Sequence, residues 1–168
     1  MSDISERHTI TVLVDNEAGV LARVVGLFSG RGYNIESLTV AEVDPAARTS
    51  RITIVTSGTP EVIEQIETQL RRLVPTHKVT NWTAAKAGIE REMALIKVAG
   101  TGDKRMEALR MADAFRARPV DTTHSSFVFE ITGAPAKIDS FVDLMRPLGL
   151  VEVSRTGVAA ISRGPDAM

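Results

Sequence analysis

Twice along this chain a segment of alternating apolar residues feeds a segment with apolar residues every three or four positions. Two further alternating segments, a second helical one and a last alternating one complete each round. A period of two marks a strand with one buried face, and a period near 3.6 marks an amphipathic helix. In the first round Thr9 to Val14 alternates, Val20, Val24 and Leu27 fall at i, i+4 and i+7, and Asn34 to Val43 reads as a strand. Asp44 to Ala47 is a turn, Ser50 to Thr56 alternates, and Thr59-Pro60 opens a helix with Val62, Ile63, Ile66, Leu70 and Leu73 on one face. Pro75 ends that helix, and His77 to Thr83 supplies a fourth strand. The order βαββαβ favours a four-stranded antiparallel sheet with both helices on one face.

The charged, small stretch Thr83 to Arg91 reads as a linker, after which the same order returns. Met93 to Val98 is an apolar strand, and Thr101-Gly102-Asp103 leads into a helix through Met106, Leu109, Ala112 and Phe115. Pro119 to Thr122 and Ser126 to Thr132 read as strands. Pro135 starts a helix with Ile138, Phe141, Val142 and Met145 that stops at Pro147, and Leu150 to Ile161 is strand material interrupted at Gly157. The reading is an α+β chain of two ferredoxin-like βαββαβ domains, residues 1–83 and 84–168, with 84–91 as the linker. The repeat is one of architecture and not of residues, so the halves need not bind the same ligand.

One segment has no good core-packing explanation. After the first strand comes Asp15-Asn16-Glu17-Ala18-Gly19, with the glycine just where the helix begins. A helix N-terminus presents unpaired N–H groups and partial positive charge, a seat for a carboxylate or phosphate. Gly19 allows close approach to the backbone, and Asn16 offers both a donor and an acceptor. The plain alternative makes Asp15 or Asn16 a turn starter and Gly19 a turn glycine.

The continuation Gly30-Arg31-Gly32-Tyr33-Asn34-Ile35-Glu36-Ser37-Leu38-Thr39-Val40 shifts the balance. Together with Asp15 to Leu21, Arg23 to Phe28, Glu64 to Glu67 and Gln69-Leu70, it resembles the small regulatory subunit of acetohydroxyacid synthase (acetolactate synthase). The N-terminal half of that family is an ACT domain. The similarity continues through Glu90-Arg91-Glu92, Val151 to Gly157 and Ser162-Arg163-Gly164, and covers nearly the whole chain.

The resemblance implies a regulatory, non-catalytic chain that senses a branched-chain amino acid, usually valine, between two ACT domains. Asn16 would hydrogen-bond the α-amino or α-carboxylate group. The backbone at Gly19, Val20 and Leu21 would hold the carboxylate, and Asn34 and Ile35 of a neighbouring copy would close the pocket. It further implies a homodimer through the ACT domain and a larger catalytic subunit as partner. That subunit carries thiamine diphosphate, a divalent metal and flavin; no cofactor is expected here. A free-standing amino-acid sensor with another partner and an enzyme in its own right are the remaining classes.

Composition and local motifs narrow the rest. A formal net charge of -1 speaks against a nucleic-acid or membrane-surface protein. No long apolar run suggests a membrane span, and Met1 to Arg7 lacks the apolar centre of a signal peptide. Zero cysteines exclude disulfides and thiolate chemistry, and fit a cytoplasmic protein. His8, His77 and His124 share no metal-ligand spacing. Gly100-Thr101-Gly102 resembles half of a dinucleotide fingerprint, but Arg105 stands where the third glycine belongs; a tight turn capped by Thr101 or Asp103 is the better reading. His124-Ser125-Ser126 lies in a strand with no nucleophile elbow, and Tyr33 and Trp82 read as packing residues.

Overall fold

The structure is a computed structural model that describes residues 4–168. The chain groups into two compact units, residues 1–89 with 158–168, and residues 90–157. The first unit contains β1 (Glu6–Asp15), α1 (Val20–Gly30), β2 (Ser37–Asp44), β3 (Thr49–Gly58), α2 (Pro60–Arg72), β4 (Thr76–Asn81) and α3 (Trp82–Ala85). Its sheet runs β2-β3-β1-β4, antiparallel at each pairing. The expected βαββαβ order is present, with one addition: α3 stands where the end of the fourth strand and the start of the linker were expected. Asn81 caps that short helix, its side-chain oxygen accepting from the Ala84 N–H at 3.1 Å.

One face of this sheet follows directly from the alternation. Ile10, Val12 and Val14 of β1 and Ile52 and Ile54 of β3 are buried with Val20, Val24, Leu27 and Phe28 of α1 and Ile63, Ile66 and Leu70 of α2. The other face departs from it. Thr9, Thr11 and Thr53 alternate with the core residues and read as solvent-facing, yet all three are buried. Trp82 covers them. Its indole N–H donates to Thr11 Oγ1 at 2.8 Å, and Thr11 and Thr53, directly opposed in register, share a 3.1 Å hydroxyl contact. Arg51 lies 5.9 Å from the centre of the Trp82 ring and donates to the Ala160 carbonyl at 2.7 Å; burial pulls its pKa below the usual arginine range. Trp82 is thus a packing residue, as its sequence context suggests. Tyr33 is another, meeting Phe28 edge-on with ring centres 6.1 Å apart.

The second unit is built from β5 (Gly88–Ala99), α4 (Gly102–Ala114), β6 (Arg118–Thr122), β7 (Ser126–Gly133), α5 (Pro135–Met145), a 3-10 turn at Arg146–Leu148 and β8 (Leu150–Arg155). The strand order is β6-β7-β5-β8, and β9 (Ala159–Ser162) also pairs with β5, whose first two residues group with the first unit. Phe127, Phe129 and Ile131 pack with Ala94, Ile96 and Val98 against α4 and α5. The expected apolar face of α4 is rotated. Ala108 and Ala112 point into the core, Leu109 and Phe115 are half-buried, and Met106 is 53% exposed. Two small side chains four apart let the helix sit close to the sheet, which a methionine at that position would prevent. Thr101 occupies the N-cap of α4 as expected, but its side chain makes no capping hydrogen bond.

A charged clamp ties the two ends of this unit together. Glu92 is 6% exposed and receives both arms of Arg155, Nε at 2.8 Å and Nη2 at 2.7 Å, while Arg155 Nη1 also reaches Asp139 at 2.6 Å. The Glu92 hydrogen bonds dominate in holding the Arg155 pKa above its ordinary range, with Asp139 adding to them. A bidentate pair of this geometry is strong, and losing one partner strands a buried charge. Because Arg155 is one-third exposed, the cost is moderated by solvent. Arg155→Ala is expected to lower unfolding stability by about 2 kcal/mol, read as a reduced urea midpoint. Glu92→Leu, which removes the charge and fills the space, is expected to cost less.

Candidate functional site

The strand–loop–helix junction is held from several sides. At the end of β1 the Asp15 N–H donates to the Pro75 carbonyl at 3.2 Å and the Asn16 N–H to the Arg48 carbonyl at 2.6 Å. His77 Nε2 meets Asp15 Oδ1 at 2.5 Å, and Arg23 Nη1 donates to the Val74 carbonyl at 3.1 Å. The Glu17 N–H turns back to the Asp15 carbonyl at 2.9 Å, which closes the loop before Gly19.

Gly19 is the N-cap of α1 and adopts φ 84, ψ -5, a left-handed conformation that glycine alone takes without a Cβ penalty. Among the described residues no side chain caps this helix, and no acidic residue sits in its first turn. The Val20 N–H turns back to the Glu17 carbonyl at 3.4 Å, and no side chain answers the next N–H groups or the dipole charge. The second helix of the same unit is finished differently. The Thr59 hydroxyl accepts from the Val62 N–H at 3.4 Å, Pro60 occupies the first turn, and Glu61 follows. Hydrogen bonds to its own backbone N–H and to Thr59 hold the Glu61 carboxyl below the usual range. One helix start is sealed with oxygens and the other is left open.

The candidate residues are distributed as follows. Asn16 and Gly19 are exposed, Leu21 is 39% exposed, and the Val20 side chain is buried in the core, so Val20 can offer only its backbone. Asn16 Nδ2 donates to Glu42 Oε1 at 3.0 Å, a partner on β2 that the motif does not reveal. Asn34 and Ile35 lie beyond the far end of α1, which at 11 residues spans roughly 16 Å. The left-handed residue of that turn is Gly32, φ 68, and Asn34 is not among the residues with positive φ. Asn34 instead contributes its carbonyl to the Thr56 hydroxyl at 2.6 Å, which leaves its exposed side chain unused. Within one chain, then, the fold brings Asn16, Gly19, Val20 and Leu21 together and keeps Asn34 and Ile35 apart from them.

No group of three or more metal-ligating side chains occurs among the described residues, and no helix there is long and apolar enough to cross a membrane.

A four-stranded antiparallel sheet in βαββαβ order is the frame of a domain of the ACT type. Comparisons with known proteins agree and go further. The family description "AHAS small subunit-like ACT domain" matches residues 10–78, and "Small subunit of acetolactate synthase" matches residues 91–164. The probable acetolactate synthase small subunit of Archaeoglobus fulgidus is 48% identical over 94% of this chain and 98% of its own length. The small subunit of acetolactate synthase isozyme 3 from Escherichia coli is 44% identical over 96% and 99%. The crystal structure of the acetolactate synthase small subunit from Thermotoga maritima superposes with a TM-score of 0.83 at 38% identity, covering 96% of this chain and 99% of that one. The chain belongs to the acetolactate synthase small-subunit family, and is a regulatory subunit of that kind.

A methyl group at Gly19 would meet nothing within 4 Å, so the glycine is required by its backbone angle and not by crowding. Gly19→Ala is accordingly expected to keep the fold and lower stability by about 1 kcal/mol, measured by urea unfolding of the purified chain. A loss several times larger would show that the loop packs more tightly than its exposure implies.

Proposed function

We propose that this chain binds the catalytic subunit of acetolactate synthase, raises its activity, and makes it sensitive to a branched-chain amino acid, with valine first in line. The observation that carries this reading is the uncapped, glycine-led start of α1 beside Asn16. A zwitterionic amino acid needs an anion seat, an acceptor for its ammonium and an apolar wall. The helix start supplies the first, the Asn16 carbonyl and Glu42 carboxylate the second, and Leu21 the third. The Asn16–Glu42 contact uses the Asn16 NH2, so the Asn16 carbonyl is free to face the ligand beside the carboxylate.

The site is completed by a second copy. Asn34 lies a helix length from Gly19 in one chain, and β2 is the outer strand of its sheet, with Val40 and Val43 exposed along it. Side-by-side pairing of two ACT domains would cover that edge and carry Asn34 and Ile35 to the neighbour's loop. The ligand then regulates by binding one arrangement of the pair more tightly than another. A coupling of about 1–3 kcal/mol changes the linked equilibrium from several-fold to a hundredfold. The chemistry of acetolactate formation, with its thiamine diphosphate, metal and flavin, belongs to the catalytic subunit, and we place the complex in the cytoplasm.

A thermal melt with valine at about a hundred times its dissociation constant should raise stability by roughly 2.7 kcal/mol, and Gly19→Asp should abolish the shift by placing a carboxylate at the anion seat. Valine inhibition that persists in the reconstituted Gly19→Asp enzyme would remove the site from this loop.

Mixing distinguishes a shared site from a single-chain one. Gly19→Asp and Asn34→Ala homodimers should each fail to respond. Their mixed dimer retains one pocket built from an intact loop and an intact Asn34, so co-refolded mixtures should recover part of the valine shift. No recovery would place the whole pocket within one chain.

A further inference from the structure

The second unit carries a concavity that the valine site does not explain. It has a volume of about 550 Å³ and is lined by Arg91, Arg116, Arg118 and Lys137, with Glu130 as the acid among them. Glu130 pairs with Arg118 at 3.2 Å. Arg91, Arg116 and Lys137 have no carboxylate partner among the described residues. In a chain with a net charge of -1, three free cations around one hollow form a strong local field.

The local construction favours keeping these cations in place. Arg116 sits one residue past the C-cap of α4 with φ 56, and its N–H donates to the Asp113 carbonyl at 3.1 Å. Glycine is the usual occupant of such a position, and an L-residue there carries a backbone cost. The chain places an arginine there, as it places Arg48 and Lys86 in the same left-handed region elsewhere. Lys137 is accommodated by Gly133: a Cβ on Gly133 would stand 2.6 Å from Lys137 Cδ. The glycine lets the lysine stem lie along the strand end, with Nζ 3.4 Å from the Thr132 carbonyl. The start of α5 adds to the same potential, since Ala134 provides no side-chain cap and no acid lies in the first turn.

The walls also say what does not fit. No aromatic ring lines the hollow, so a planar organic body has nothing to stack on. The neighbouring edge strand β6 is a poor template for an added peptide strand: Pro119 has no N–H, and the register with β7 shifts between Pro119 and Asp121. We propose that this pocket binds a compact, multiply charged oxyanion, phosphate or pyrophosphate being the type, free or as the terminal group of a small metabolite. Arg91, Arg116 and Lys137 would be its ligands, and Arg118 would be positioned by Glu130.

The test is titration calorimetry on the full-length chain with pyrophosphate, inorganic phosphate, citrate and a glutamate-rich peptide. Pyrophosphate is expected to bind, with affinity at least tenfold lower in Arg116→Ala and in Lys137→Ala and unchanged in Arg72→Ala. Circular dichroism should show all three variants folded, and binding should weaken as salt is raised. Citrate binding as tightly as pyrophosphate would support the pocket and assign it to polycarboxylates. Equal affinity in the Arg116 and Lys137 variants, no heat with any of the small anions, or a peptide that outcompetes pyrophosphate would each overturn the proposal.

Discussion

Everything in the first unit depends on β1 being buried on both faces. It lies between β3 and β4 in the sheet, its aliphatic side chains fill the space beneath the helices, and its threonines lie under Trp82. A strand fixed on two edges and two faces delivers its last residue to one place. That residue is Asp15, clasped by His77 and by the Pro75 carbonyl, and the loop to Gly19 begins there. A flexible binding loop would pay for its own ordering whenever it met a ligand. Here the sheet has already met most of that cost.

The contrast between the two helix starts then carries functional meaning. Ser, Thr, Asp and Asn are the ordinary solutions to an N-terminus, worth about 1 kcal/mol each, and α2 uses one. At α1 the chain forgoes that stabilisation and installs a left-handed glycine. The donors left without a protein partner face solvent, where water or a ligand oxygen can meet them. The same arithmetic applies to Arg116 in the second unit, where a charged side chain takes a backbone conformation better suited to glycine. Each is a local stability loss that the core can absorb, and each faces a hollow or open surface instead of packed side chains.

The strand and helix periods were enough to define both βαββαβ frames, because one buried face per element imposes them directly. They failed where tertiary cover changed the rules. Thr9, Thr11 and Thr53 looked like surface residues until Trp82, from the end of the expected fourth strand, sealed the second face and supplied a donor for the hydroxyl pair. The rotation of α4 was missed for a related reason: Ala112 was on the expected face, but Ala108 is a weak hydrophobic signal beside Met106, and only the close approach of helix to sheet favours the smaller side chain. At the candidate site, the strand–loop–helix order drew attention to Asn16 and Gly19, and only the resemblance carried on through Gly30 to Val40 weighed against a plain turn. Glu42 could not be found this way, because it reaches Asn16 through the β2–β3 pairing, and nothing local to either residue announces the contact.

A site divided between copies has a consequence for regulation that a self-contained pocket would lack. If each chain holds half of the ligand contacts, the effector binds the dimer and not the separated chains, so ligand and dimer stabilise each other by the same free energy. Effector sensitivity would then fall as the protein is diluted, even with the loop unchanged. The Asn16–Glu42 contact sets the starting geometry, since it holds the Asn16 NH2 on the carboxylate and leaves the Asn16 carbonyl free for the ligand. A hydrogen bond to a charged acceptor is worth about 1.5–3 kcal/mol net, less at an exposed site such as this, so the free state is held without being locked. An interaction of that size lets modest differences in effector binding move the population, as the proposed sensing of an amino acid would need.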